Sequence, residues 1–155
     1  PVAGSITAED GDIRYISSQG SPYNAWSNPI TVSDDSSGRA QGYAALEVGD
    51  GGQLHAMWED HRLSPEVLPI LPNSSNLRYD IFYSRNSLGT GWFRSFRVNE
   101  VSSMSDFIYI GDYIGITSNN TTLFGIWTDR RDKLSIFDFE DNVFGSLIIS
   151  GGATP

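Results

Sequence analysis

The sequence predicts an all-β protein of short antiparallel strands joined in meanders. Three observations carry the prediction. No window of the 155 residues has the spacing of an amphipathic helix, whereas apolar and polar residues alternate in short runs between Gly, Pro, Asn and Ser turns. One strand-like stretch occurs twice. Leu54 to Arg62 reads LHAMWEDHR and Leu123 to Arg131 reads LFGIWTDRR, with Leu, Trp, Asp and the final Arg in register. The strand types around the two copies recur in the same order, and repetition on β-type sequence means stacked or radial sheet units.

Each element has its own signal. Residues 1–11 are small and polar and read as an arm or the end of a strand. Residues 12–17 (DIRYIS) alternate, and 29–33 (PITVS) return after a Gly/Ser/Pro/Asn turn that ends at Trp26. Residues 34–42 are a polar connection. Tyr43 to Val48 is a short apolar strand, turned by Gly49-Asp50-Gly51-Gly52 into Leu54 to Glu59. The longest connection is 63–78. Pro65, Pro69 and Pro72 exclude helix through most of it, and Val67, Leu68, Ile70 and Leu71 predict that it packs down on something. Residues 79–86 (YDIFYSRN) alternate, a turn at 87–91 leads to Trp92, and 96–99 (FRVN) return. Next, 111–118 (GDYIGITS) and 123–128 form a hairpin across Asn119-Asn120. Residues 133–140 (KLSIFDFE) read as a third strand, Asp141-Asn142 as a tight turn and 143–149 as the returning fourth. Four-stranded antiparallel meander units in series are β-propeller blades. The expectation is therefore one partial propeller over 1–155: a half blade at 12–33, a full blade at 43–100 and a full blade at 111–149.

Composition narrows the class. Apolar residues make up 39% and aromatics 12%, enough for a folded core. The formal net charge of −9 argues against nucleic acid and anionic membranes as partners, both of which need a basic surface. No apolar run approaches the roughly 18 residues of a membrane span, so no membrane insertion is expected. The absence of Cys removes disulfides, thiolate metal sites and Cys nucleophiles. A single Lys, Lys133, together with many Ser, Thr, Asn and Gly, suits a secreted, cell-surface or periplasmic β protein. The glycosylation-type triplets at Asn73, Asn119 and Asn120 read as chance in Asn/Ser-rich turns. The first residue is Pro, which predicts processing, trimming or excision from something longer.

Two segments carry a family resemblance. GDYIGI at Gly111 to Ile116 followed by IWTDRR at Ile126 to Arg131 resembles the sialidase-like β-propellers with BNR, or Asp-box, repeats. YDIFYSRNSLGTGW at Tyr79 to Trp92 and DIRYISSQGSPYNAW at Asp12 to Trp26 resemble the strand and Asp-box turn of that family. In the first of these Ser84, Asn86, Gly89 and Trp92 match the box with Asn for Asp and one extra residue. Around Ser18, Gly20 and Trp26 the match is looser, and after Lys133 no box is visible. Complete propellers of the family are much longer rings. The resemblance thus implies missing blades, supplied by a longer exported chain, by another polypeptide or by copies that close a ring.

The ends of the repeated strands are the candidate site. Antiparallel order brings Tyr43 near Asp60, His61 and Arg62, and Asp112 and Tyr113 near Asp129, Arg130 and Arg131. In the resembled family this end is the ligand face. Arg suits a carboxylate, Tyr stacks on sugars or acts as a nucleophile, and Asp serves as acid or base. A second reading gives Asp60–Arg62 and Asp129–Arg131 a structural part in every blade, because they recur at equal positions. The family's arginine triad, Tyr/Glu nucleophile pair and acid/base Asp cannot be placed here, so catalytic residues stay unassigned. No metal pair, phosphate loop or nucleophile elbow is present; His55 and His61 have the wrong spacing for a metal pair. No cofactor is expected, calcium at Asp34-Asp35 or Glu140-Asp141 being the alternative to solvated acidic turns. The functional expectation is a carbohydrate- or protein-binding module, not catalytic as an isolated chain. The alternatives are a segment of a sialidase-type glycoside hydrolase and a self-assembling subunit.

Overall fold

The computed structural model describes residues 11–18, 20–64, 78–87, 91–104, 113–119, 122–132 and 141–149. These residues contain strands and no helix, and every strand pair is antiparallel. The expected all-β, antiparallel character is what the structure has. Among the described residues the strands form separate open sheets, and none of these closes on itself. The arm at 1–10, most of the proline-rich connection, Gly111-Asp112 and the strand expected at 133–140 lie outside the described residues.

The first sheet pairs β1 (Arg14–Tyr15) with β2 (Ile30–Thr31), extended by a bridge between Ser18 and Trp26. The central sheet runs β3 (Gln41–Val48), β4 (Leu54–Asp60), β5 (Arg78–Ser87). Along the outer edge of β5 lie three short segments: β6 (Gly91–Trp92), β7 (Phe96–Arg97) and β8 (Ser103–Met104). The returning strand expected at 96–99 is present as β7, whose pairing with β5 continues through the Val98 N–H to the Ile81 carbonyl at 2.7 Å. Between β6 and β7, Ser95 bonds Asp34 through its backbone N–H at 3.0 Å. The third sheet has β10 (Thr122–Asp129) between β9 (Ile114–Ser118) and β11 (Asn142–Ile149).

The third sheet departs from expectation in one respect. Residues 143–149 were expected outermost, beyond a strand at 133–140. Instead β11 lies directly beside β10, from Thr122 opposite Ile149 to Asp129 opposite Asn142. This repeats the central sheet, where Asp60 lies opposite Asp80. Residues 133–140 (KLSIFDFE) and 143–149 (VFGSLII) both read as strands, so local pattern alone could not choose which one neighbours β10.

The three sheets stack face to face. Side chains of β4 point alternately to the two sides. Ala56 and Trp58 join Phe82 and Val32 in a core against the first sheet, completed by Ile13, Tyr15 and Trp92. Met57 joins Tyr79, Ile81 and Trp127 in a second core against the third sheet, completed by Val98, Ile114, Ile116 and Phe144. With both faces covered, β4 is almost continuously buried, as the unbroken apolar run AMW requires. Met57 and Ile81 are fully buried, and each such side chain contributes about 1.5–3 kcal/mol. The approach is close at Gly125, where a Cβ would sit 2.6 Å from the Met57 sulfur. The missing side chain makes room for Met57.

Candidate functional site

The two repeated stretches end in the same constellation. Trp58 Nε1 donates to Asp60 Oδ2 at 2.9 Å, and Trp127 Nε1 to Asp129 Oδ2 at 2.9 Å. The Arg62 backbone N–H donates to Asp60 Oδ1 at 2.8 Å, and that of Arg131 to Asp129 Oδ1 at 2.7 Å. The guanidinium then folds back onto the same carboxylate, at 2.7 Å in the first copy and 2.6 Å in the second. Each guanidinium also covers a ring, Phe82 at 4.1 Å and Phe144 at 4.0 Å. Phe82 and Phe144 stand directly opposite Trp58 and Trp127 in the strand registers. Trp, Asp, Arg and the cross-strand Phe thus form one unit that ties the end of the strand to the turn that follows. Both oxygens of Asp60 and of Asp129 are engaged, and both residues are fully buried.

Arg62 is held further. Asp34 Oδ1 accepts from its Nη1 at 3.0 Å, and Asp35 lies 4.0 Å from its Nε. Burial works against the Arg62 charge, but the Asp60 and Asp34 hydrogen bonds outweigh it and raise the pKa. Burial of Asp34 is likewise outweighed, by Ser95 and Arg62, so its carboxyl is held below the usual range. Asp35 accepts from Ser37 N at 3.0 Å and from Gln41 Nε2 at 2.9 Å. The calcium alternative at Asp34-Asp35 therefore meets carboxylates already in use, and Glu140 lies outside the described residues. Among the described residues no group of three or more His, Asp or Glu is placed to hold a metal ion; Asp34, Asp35 and Asp60 converge on the Arg62 guanidinium instead.

The other expected residues separate by exposure. His61 Nδ1 donates to the Arg78 carbonyl at 2.7 Å, and burial lowers its pKa. Arg130, at the position of His61 in the second copy, is buried; its backbone N–H reaches Ser103 Oγ at 2.7 Å and its Nε the Asp141 carboxylate. Asp112 lies outside the described residues. Tyr43 and Tyr113 are the exposed members, at 53% and 78%. Tyr43 sits in a bulge of β3 between Gly42 and Ala45, in the left-handed region at φ 49°. Non-glycine residues adopt that conformation only where the surroundings impose it. The Tyr113 carbonyl accepts from Thr128 N at 3.1 Å, which places Tyr113 at the same end of the neighbouring sheet.

Sequence reasoning missed a buried polar group beside these. Asp80 lies directly opposite Asp60 and is also fully buried. It is held by Arg97 at 2.7 Å, by Asn99 Nδ2 at 3.0 Å and by Ser102 Oγ at 3.2 Å. The available signal was an Asp near the start of an otherwise apolar strand, which at a buried position demands a cation. Comparison with protein-family models, with curated proteins and with solved structures returns no match.

Proposed function

We propose that the chain is a glycan-binding module built as a partial, sialidase-like β-propeller of an exported protein, without catalysis by this chain alone. The observation that carries this reading is the division of labour at the charged end. The acid and guanidinium groups are turned inward on one another, and what faces solvent is a pair of tyrosines, Tyr43 in the first strand of the central sheet and Tyr113 just before the first strand of the third. Tyrosine rings offer an apolar face and a polar tip, which suits a sugar ring. A carboxylate with both oxygens engaged makes a poor acid or base, so hydrolysis draws no support from Asp60 or Asp129. With Arg62 and Arg131 committed to internal carboxylates and the chain at −9, a neutral sugar fits better than an acidic one. The serial stacking of antiparallel sheets, with the Trp–Asp–Arg unit at the same end of two of them, supports the blade reading.

Calorimetric titration against neutral and acidic oligosaccharides tests the proposal. Tyr43→Ala and Tyr113→Ala are each expected to weaken binding of a neutral sugar about tenfold, on the order of 1.4 kcal/mol for a lost stacking ring. Absence of binding by any oligosaccharide at millimolar concentration would sink the reading. Turnover of a sialoside by the isolated chain would replace it with the hydrolase alternative.

A further inference from the structure

The hairpin of the first sheet and the strands β5 and β6 of the central one are built alike, and comparing them isolates one side chain. In each, an Asp-Ile-x-Tyr strand runs into a turn that closes on a tryptophan. Trp92 lies opposite Asn86, and Trp26 lies opposite Ser18 at the matching position. Trp92 is turned onto the first sheet, edge-on to Tyr15 with ring centres 5.7 Å apart. Trp26 has no such cover and is 61% exposed. The side of the first sheet that it shares suits water. Ile13 and Tyr15 pack toward the central sheet, so Arg14 points away from it. Arg14 stands where β5 has the buried Phe82, and it pairs at the surface with Asp12 at 3.1 Å. An ion pair in place of that Phe would be costly beneath another sheet.

The turn that carries Trp26 is fixed and uncharged. Ser17 and Ser27 tie its base: the Ser27 N–H donates to the Ser17 carbonyl at 2.8 Å, and Ser27 Oγ accepts from the Ser17 N–H at 3.1 Å. Within the turn the Tyr23 N–H donates to the Gly20 carbonyl at 2.9 Å, and Tyr23 is held in the left-handed region at φ 57°. That conformation presents a second ring, 66% exposed. No residue from 15 to 33 is charged, in a chain that is 19% charged, and the exposed polar side chains here include Ser21, Asn24 and Asn28. Rigid rings with an apolar face, set among neutral amides and hydroxyls, hold an uncharged ligand that is itself rich in hydroxyls.

We infer that the β1–β2 turn is a second sugar-binding site, with Trp26 as the stacking ring, Tyr23 beside it and a neutral oligosaccharide as the ligand. The start of β1 adjoins the charged end, where the Gln41 N–H donates to the Gly11 carbonyl at 2.8 Å. The turn is therefore at the other end of the strand and uses neither Tyr43 nor Tyr113.

Tryptophan fluorescence of the intact chain decides it. Trp58 and Trp127 are buried and Trp92 is half-buried, so Trp26 is the indole that a ligand meets from solvent. The probes are neutral hexasaccharides of glucose, xylose and N-acetylglucosamine. At least one is expected to give a saturable blue shift, with a Kd of about 1 mM or below. Trp26→Ala should abolish the shift with an unchanged far-ultraviolet circular dichroism spectrum. Tyr23→Ala keeps the reporter, serves if Trp26→Ala does not fold, and should weaken binding about tenfold. Val143→Ala, an exposed position on the third sheet, should bind as the parent chain does. The readout is local to this turn, so failure of the site at Tyr43 and Tyr113 would leave it unchanged. Absence of a saturable shift up to about 10 mM sugar would overturn the inference. So would a shift that persists in Trp26→Ala, which would place the sugar at another indole.

Discussion

Asp60 and Asp80 face each other across β4 and β5, both fully buried, an arrangement that repels unless each carboxylate has its own cation. Arg62 serves Asp60 and Arg97 serves Asp80. In the third sheet the position opposite the repeated Asp, Asp129, is Asn142, and one arginine, Arg131, folds onto Asp129. The comparison makes a prediction. Arg97→Ala should cost about 2 kcal/mol in urea unfolding, less than a fully buried pair because its side chain is partly exposed. Asp80→Asn, which copies the third sheet, should recover much of that loss in the double variant. Asp129→Ala is predicted to cost about 3 kcal/mol, since it strands the Trp127 indole N–H, the Arg131 amide and the Arg131 guanidinium together. Sugar binding by a folded fraction of that variant should be retained, which separates the structural part of the acid from a ligand-contacting one.

At the level of strands, the contact between β4 and β10 is the most constrained. Gly125→Ala sets a methyl against the fully buried Met57 sulfur, so the sheets must part or Met57 must leave its well. A loss of about 1–3 kcal/mol is expected, and Met57→Ala in the same chain should relieve part of it; additive losses would show that the crowding is not between these two residues. Strand positions were largely legible because alternation and Gly-rich turns are local signals. Leu54–Asp60 and Thr122–Asp129 fall within a residue or two of expectation. The bulge at Tyr43, the gap between β6 and β7 and the neighbour of β10 were not legible, because each depends on a partner distant in sequence. In that gap Ser95 bonds Asp34, sixty-one residues away, and no local pattern encodes that. The structural reading of the candidate site was legible: repetition located the Asp and Arg residues as a part shared by the repeats, and in both copies the acid ties off the following turn with Arg as its partner. The cross-strand Phe under each guanidinium and the Asp34 contact were not, because they depend on partners distant in sequence.

For the molecule as a whole, stability should fall with acidification in two steps. Burial depresses His55 and His61 below the ordinary 6.5, with Arg85 adding to the effect at His55. The folded state thus keeps these rings neutral while the unfolded chain protonates first. Their contribution is complete above 6.5 and is lost as pH falls through the folded values. Tyr83, pushed up to about 12 by burial, keeps its phenolic proton and can donate it to His55 Nδ1 across 2.7 Å. The urea midpoint should decline between about pH 7 and pH 5, and His55→Asn should flatten that slope. Asp34 and Asp35, both held low, predict a second decline below 3.8. A flat profile from pH 7 to 5 would show that the histidines stay solvated. One further consequence concerns the sides of the sheets. The free edge of β5 is occupied by three two-residue segments, too short and too staggered to present a continuous row of amide groups. The far edge of β11 has no partner strand among the described residues over its eight-residue length. If this protein seeds fibrils on partial unfolding, growth should begin by strand addition at β11, and Leu147→Lys, a charge at an exposed position of that edge strand, should hinder it there.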